Sequence, residues 1–315
     1  MAGNTGSAVL PPDRPGSPGS LIVSFAGAFL RQLGGVIGVA DLIRCLAAVG
    51  VGEPATRQAL SRLKARGFLE PVLVDGRANY ALTAAGSADL NSGDRRIFHR
   101  PDTSESDGWV LAVFSVPESE RAQRHRLRSE LSWLGFGTVA SGVWVAPRAL
   151  AEPTRDVLAA ADLDRYVTWF EARQLSSVDV ARWWDLPALR TAYDRFLATH
   201  RADLDRCDLT GEQAFAVYLR VIDDWRVFPR IDPGLPAALL PDDWPATRAW
   251  ESFATLHERW SASGLAYVRG VVAGSVHAER PAPPLRQDHG DGRAGRPGDA
   301  SGQPATRGPA ARPHR

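Results

Sequence analysis

Apolar residues follow two different periods within residues 20–100. Helical spacing predicts a first helix that ends at Gly34-Gly35, a second over 41–49 and a third over 53–66, with Pro54 suited to the first turn. Two shorter runs, 68–74 and 78–82, flank the dipeptide Asp75-Gly76 and predict a β-hairpin. Thr83 is placed to cap a further helix. Three helices followed by a hairpin predict a winged helix-turn-helix DNA-binding domain.

Residues 107–175 carry a mixed pattern of short apolar runs and amphipathic stretches. The runs predict strands at 109–116, 137–140, 143–146 and 165–171, and the amphipathic spacing predicts helices at 119–134 and 154–161. The resulting order, β-α-β-β-α-β, is that of the ferredoxin-like fold. We therefore expect a central domain of this type.

Residues 177–276 are predicted to form a mainly α-helical C-terminal domain. Helical apolar spacing recurs in 178–184, 187–200, 211–228 and 246–263, with a proline-rich connector over 229–245. Residues 1–19 and 277–315 lack this periodicity and are rich in Gly and Pro, a composition typical of disordered segments. The whole chain is thus predicted to be a multidomain α+β protein.

The third predicted helix of the first domain has a polar face suited to the major groove of DNA. A helical wheel places Thr56, Ala59, Leu60 and Leu63 inward, and the residues that project outward are Arg57, Gln58, Ser61 and Arg62, with Lys64 on the flank. Arg suits guanine edges or phosphates, and Gln suits adenine. Arg77, just past the hairpin tip, is predicted to contact phosphate or the minor groove. The alternative is a solvated helix in a winged-helix domain that binds protein.

Charge is distributed unevenly, although the chain as a whole carries a formal net charge of only +1. Residues 20–100 hold ten basic and six acidic residues, whereas 101–176 hold eight and eleven and 177–276 hold eleven and fourteen. The tail, 277–315, holds seven and four. The block with the predicted phosphate contacts therefore carries an excess of positive charge, whereas the two following blocks carry an excess of negative charge.

Membrane, secretion and catalytic signals are the remaining features of the sequence that bear on function. No uncharged apolar run is long enough to cross a membrane, the N-terminus lacks the apolar core of a secretory signal, and Cys45 and Cys207 cannot alone form a disulfide scaffold, so we expect a cytoplasmic protein. No motif for a nucleophile, a phosphate loop or a metal site is present, so no catalytic residue, metal or cofactor is predicted. The acidic pairs Asp223-Asp224 and Asp242-Asp243 are expected to be solvated or paired with arginine. An enzyme of nucleic-acid or coenzyme A metabolism that docks through the first domain is the alternative.

Several motifs resemble the PaaX family of transcriptional regulators. The N-terminal motifs are Ser20-Leu21-Ile22-Val23, Glu53-x-x-x-Arg57-x-x-x-Ser61-Arg62-Leu63-x-x-x-Gly67-Phe68-Leu69 and Tyr80-x-Leu82-Thr83-x-x-Gly86. The C-terminal motif is Arg226-x-Phe228-Pro229-x-x-Asp232-Pro233-x-Leu235-Pro236-x-x-Leu239-Leu240-Pro241-x-x-Trp244-Pro245. Ala246 departs from the family pattern, which has Gly at this position.

The resemblance implies a homodimeric repressor that binds a palindromic operator in double-stranded DNA. It also implies release by an acyl- or aryl-coenzyme A effector such as phenylacetyl-coenzyme A, as in control of phenylacetate catabolism. We assign the effector site to Trp225, Arg220, Arg226 and Arg230, an aromatic group rimmed by arginine. The middle block also resembles small CRISPR-associated ferredoxin-like subunits, some of which are nucleases. Ser115 stands where those place a metal-binding Asp, so we expect a spacer and dimerisation module instead.

Overall fold

The structure is a computed structural model that describes residues 14–98, 108–173, 175 and 179–278. The helices of these ranges are α1 (Pro18–Ala28), α2 (Val39–Ala47), α3 (Glu53–Ala65), α4 (Ala84–Phe98), α5 (Arg121–Trp133), α6 (Ala151–Ala160), α7 (Leu186–Leu204), α8 (Gly211–Trp225), α9 (Phe228–Ile231) and α10 (Ala246–Ala278). The strands are β1 (Val36–Gly38), β2 (Leu69–Val74), β3 (Arg77–Leu82), β4 (Trp109–Phe114), β5 (Gly137–Ala140), β6 (Val143–Pro147) and β7 (Val167–Ala172). Among the described helices, none combines the length and the apolar character that a bilayer crossing requires.

The first sheet has three antiparallel strands in the order β1-β3-β2. The predicted hairpin is confirmed, with Leu69 opposite Leu82 and Val74 opposite Arg77. Its turn works because Asp75 and Gly76 both have positive φ, 50° and 75°, a combination that matches the twist of a two-residue hairpin loop. Strand β1 was not expected, because three residues between two helices are too few to show an alternating pattern.

Some helix boundaries of the first block lie where local chemistry predicts them, but α1 ends at Ala28, and a separate 3-10 turn, Leu30–Leu33, leads to the predicted end at Gly34-Gly35. Gly67 (φ 73°) ends α3, and the amide of Phe68 donates to the carbonyl of Leu63 at 3.0 Å. The predicted cap at Thr83 is confirmed, since its Oγ1 accepts a hydrogen bond from the amide of Gly86 at 2.9 Å. Helix α1 begins at Pro18, two residues before the predicted boundary, and Ser17 caps it. Residues 1–13 of the predicted disordered segment lie outside the described residues.

The second sheet has four antiparallel strands in the order β5-β6-β4-β7. Its central strand β4 pairs with β6 on one side and β7 on the other, with Trp109 opposite Pro147 and Ala172. Because side chains alternate across a strand, Val110 and Ala112 join a core that includes Leu127 of α5 and Leu158 of α6. Trp109 faces the other way and packs against Trp183 and Trp184. Strand β7 starts later than predicted because 164–166 form a 3-10 turn.

The helical block of the C-terminal half packs against the first block in one continuous hydrophobic core. Phe29, at the end of α1, lies 5.3 Å from Phe215 of α8 between ring centres, and 5.8 Å from Tyr218 in an edge-on arrangement. Helix α10 packs along α8 and α7 and extends to Ala278, beyond the expected end of helical spacing. Most of the predicted C-terminal tail, residues 279–315, lies outside the described residues.

A buried carboxylate joins the same two blocks. Asp223 on α8 is 1% exposed, and its oxygens accept hydrogen bonds from the hydroxyls of Ser20 and Ser24 at 2.6 Å and from the amide of Gly16 at 2.7 Å. The guanidinium of Arg226 lies 3.2 Å from the same carboxylate, which confirms the expected pairing of this acid with arginine. A buried charge needs such partners, so this cluster pins the start of α1 to α8.

A second carboxyl, Asp89 on α4, leads to a prediction about pH. Burial raises the pKa of Asp89 to about 6, with nearby Arg230 acting in the opposite direction. The pKa in the unfolded chain is about 3.8, so the unfolded state holds fewer protons near pH 5 and the folded state loses stability as pH rises from about 4 to 6.

Asp89→Asn removes this charge, and we expect it to raise the free energy of unfolding at pH 7 by about 1–2 kcal/mol after allowance for solvent screening. At pH 4 the variant and wild type should have similar stability. Thermal melts at pH 4, 5, 6 and 7 measure the difference. A variant that is equally or less stable at pH 7 contradicts the assignment.

Candidate nucleic-acid interface

Helix α3 is anchored on its inner face and polar on its outer face. The buried residues are Thr56, Ala59, Leu60 and Leu63, which is the inward set expected from the sequence. This face packs against α1 and α2. The hydroxyl of Thr56 donates to the carbonyl of Gly52 at 3.1 Å, so even the polar member of the set has a backbone partner. The orientation of α3 about its axis is thereby set by burial.

The outer face of α3 presents the expected polar residues to solvent. Those with exposed side chains are Arg57, Gln58, Ser61, Arg62 and Lys64. Arg57 forms a 2.8 Å ion pair with Glu53 one turn earlier, and both side chains are more than half exposed. An exposed pair of this kind contributes under about 1 kcal/mol to stability. Arg57 can therefore exchange Glu53 for a DNA phosphate with little loss of free energy.

The hairpin of β2 and β3 stands beside α3, and a groove of about 320 Å³ lies between them. Arg57 and Leu60 line the helix side of the groove, and Leu73 and Tyr80 line the hairpin side. Arg77, at the start of β3, is exposed. The structure thus brings Arg57 to the same groove as the hairpin, whereas Lys64 lies two turns further along α3.

Two exposed residues of this surface were missed from the sequence. Arg66 follows α3 directly and is exposed next to Lys64. Leu73 is 78% exposed near the hairpin tip, which is unusual for a leucine. Alternation along β2 puts Leu73 on the same face as the buried Leu69, so the sequence pattern predicts it to be buried. It is exposed because it lies near the hairpin tip, beyond the part of β2 that packs on the core.

The residues assigned to the effector each have a separate partner. Trp225 is 5% exposed, stacks on Phe253 with 4.6 Å between ring centres, and donates its indole N–H to the carbonyl of Ile97 at 3.0 Å. Arg220 donates to the carbonyl of Val49 at 3.2 Å. Arg226 is held by Asp223 and Ser20, and the guanidinium of Arg230 lies 4.8 Å from the ring centre of Trp133.

Other candidate groups occupy structural positions. Ser115 follows β4, and its amide donates to the carbonyl of Tyr166 at 3.3 Å. Burial raises the pKa of the Cys45 thiol to about 12, so this thiol stays protonated at neutral pH. Within the described ranges, no group of three or more metal-ligating side chains comes together. Asp243 pairs with Arg190, and the carboxylate of Asp224 accepts a hydrogen bond from Nε2 of His200 at 3.0 Å.

Three family profiles match successive parts of the chain. "PaaX-like protein" matches residues 17–86, "PaaX protein central Cas2-like domain" matches 102–182, and "PaaX-like protein C-terminal domain" matches 184–270. The chain is also 28% identical over 284 residues to the transcriptional repressor PaaX of Escherichia coli strain K12, which covers 85% of this chain and 88% of that protein. Uncharacterized protein Rv0674 from Mycobacterium tuberculosis is structurally similar, with a TM-score of 0.51 and 26% identity over 78% of this chain and 97% of that one.

The structure and these matches define a mixed α+β protein of several domains, with two antiparallel sheets and an exposed polar helix beside a hairpin. The chain belongs to the PaaX family of regulators, since the three family regions occur in order along it. The resemblance found in the sequence motifs is therefore confirmed.

Proposed function

We propose that the protein is a transcriptional repressor that binds double-stranded DNA through α3 and the hairpin of β2 and β3. The observation that carries the proposal is the outer face of α3, where five polar residues project from a helix fixed by its buried face. The relative from Escherichia coli, similar along most of its length, is a transcriptional repressor. A helix of this kind fits the major groove, and an adjacent hairpin reaches backbone or minor groove.

The topology supports assignment of two domain types. Helices α1 to α3 with the sheet β1-β3-β2 have the elements of a winged helix-turn-helix domain. The order β4-α5-β5-β6-α6-β7 in a sheet ordered β5-β6-β4-β7 has the elements of a ferredoxin-like domain. We propose these assignments with the boundaries 20–100, 107–175 and 177–276. The first block would then contact DNA, and the central block would serve as spacer and dimerisation module.

The proposed DNA contacts divide into base-reading and phosphate-binding roles. Arg57, Gln58, Ser61 and Arg62 lie on the outer face of α3 and would read base edges. Lys64 and Arg77 lie on the flank and on the hairpin and would contact phosphate. The excess of basic over acidic residues in 20–100, ten against six, favours contact through this block.

The proposal includes a homodimer, a palindromic operator and an acyl- or aryl-coenzyme A effector such as phenylacetyl-coenzyme A. Trp225, Arg220, Arg226 and Arg230 remain the proposed effector residues. Because the ring of Trp225 is buried, a ligand could reach it only if the surrounding helices move apart. The protein would act in the cytoplasm and carry out no reaction, so no catalytic residue, cofactor or metal is proposed.

Footprinting on the DNA upstream of the chain's own gene tests the proposal. We expect protection of two half-sites with centres about 10 base pairs apart, or a multiple of this spacing, as a symmetric dimer requires. Phenylacetyl-coenzyme A should reduce the protection, while free phenylacetate serves as the matched control. Absence of any protected site at micromolar protein contradicts DNA binding, whereas protection insensitive to all thioesters contradicts only the effector.

A further inference from the structure

The central block carries a basic groove that the proposed DNA contacts do not use. The groove has a volume of about 720 Å³ and runs along α5, where its lining includes Arg121, Arg124, His125 and Arg128. This volume lies within the usual range of small-molecule sites, about 300–1,000 Å³. The surrounding block, 101–176, holds more acidic than basic residues, eleven against eight. Basic residues are therefore clustered at one concave site of a block whose net charge is negative.

The basic residues form one stripe of the helix. At about 100° per residue, Arg121, His125 and Arg128 fall within about 60° of each other, and the buried Leu127 lies about 100° or more from each of them. Like charges three or four positions apart destabilise a helix, and Arg124 stands three positions after Arg121 and four before Arg128. Within the described ranges, no hydrogen bond or ion pair joins the side chain of Arg121, His125 or Arg128 to another residue. These basic side chains repel each other and lower the stability of α5. A bound anion would neutralise the repulsion.

The groove also has fixed donors and an apolar wall. Arg124 is held in place by a 2.7 Å hydrogen bond to the carbonyl of Val116 and a 2.9 Å ion pair with Glu118. Ser132 adds a hydroxyl on the same stripe, and Trp133 supplies an aromatic surface. The guanidinium of Arg230 lies 4.8 Å from the ring centre of Trp133, which brings a further cation to this end of α5. Convergent guanidinium groups beside an apolar wall suit phosphate groups attached to an organic body.

We infer that the α5 groove binds a compact ligand that carries two or more phosphate groups. A small ligand fits better than duplex DNA, because the site is concave and the negative net charge of the block, eleven acidic against eight basic residues, repels a long polyanion. The site lies on a different block from α3 and goes beyond the proposed function, since ligand binding can be measured without DNA.

Isothermal titration calorimetry of the full chain tests the inference with inorganic pyrophosphate, adenosine diphosphate and adenosine. We expect both phosphate compounds to bind and adenosine to bind at least tenfold more weakly. The double variant Arg121→Gln/Arg128→Gln should lose affinity for pyrophosphate by about tenfold or more, and Arg128→Gln alone by about threefold. The matched control is Arg155→Gln on α6, whose exposed side chain pairs with Glu152 at 2.9 Å and should leave affinity unchanged.

Two results would overturn the inference. One is no measurable heat from wild type at about 1 mM pyrophosphate. The other is equal affinity of wild type and the double variant, with circular dichroism showing both folded. The same variants are also titrated with the upstream DNA. A loss of DNA affinity in the double variant, with no pyrophosphate binding by wild type, would identify the groove as a DNA contact and reject the small ligand.

Discussion

Arg62→Ala should weaken binding to the upstream DNA by about tenfold or more and leave the melting temperature unchanged. The side chain projects from the outer face of α3 and is exposed, so its loss creates no cavity. A bidentate contact between Arg and a guanine edge contributes about 1–3 kcal/mol of discrimination, which corresponds to roughly fivefold to more than a hundredfold in affinity. Fluorescence anisotropy with labelled duplex, in parallel with thermal melts, measures both quantities.

Comparison variants separate base reading from general electrostatic attraction. Arg77→Ala should weaken binding to all sequences to a similar, smaller extent and lower the salt slope by about one, because a phosphate contact carries no sequence information. Arg155→Ala, on the central block, should have little effect. If Arg57→Ala and Arg62→Ala both bind the upstream DNA like wild type, α3 is not the recognition helix.

Asp223→Asn should cause the largest loss of stability among single polar substitutions in the described core. The carboxylate accepts hydrogen bonds from Gly16, Ser20 and Ser24 and pairs with Arg226, all at a site that is 1% exposed. The amide keeps the shape but loses the charge and one acceptor, which leaves Arg226 without its counter-charge. Breaking a buried pair in this way costs about 3–5 kcal/mol, and the melting temperature should fall by roughly 6–20 °C.

The matched control is Asp162→Asn. This carboxylate also pairs with an arginine, Arg165, at 2.7 Å, but its side chain is 75% exposed, so we expect a change in melting temperature close to zero. Equal melting temperatures of the two variants would show that the Asp223 cluster does not hold α1 to α8. Hydrogen exchange offers a second measurement, in which the amides of α1 should lose protection first.

Local chemistry was sufficient to predict most elements of the first two blocks. The turn at Asp75-Gly76, the cap at Thr83 and the inward face of α3 depend on residues a few positions apart in the chain. The outward face of α3 follows from the inward one, since a helix that buries one stripe exposes the opposite one. This is why the proposed DNA-contacting residues could be predicted from the sequence, whereas the groove beside the hairpin could not.

The surroundings of the proposed effector residues depend on contacts between distant parts of the sequence. Trp225 was assigned to a ligand pocket because an aromatic ring among arginines suits an acyl group with phosphates. The structure places it against Phe253 and Ile97, which are far away in sequence. The basic groove on α5 shows the converse case. Helix α5 was predicted from the sequence. The concave shape of the groove, however, depends on Trp144 of β6 and on the packing of α5 against the sheet.

The sequence alone established the helices and hairpin of the first block, the strand order along the central block and the polar face of α3, because these depend on periodicity, caps and turns within a few residues. Only the tertiary structure decided that the first and third blocks share one core and that Asp223 accepts hydrogen bonds from Gly16, Ser20 and Ser24. The physical reason is that burial and hydrogen bonding act between residues about two hundred positions apart, as between Ser20 and Asp223, and no periodicity along the chain records such a pairing.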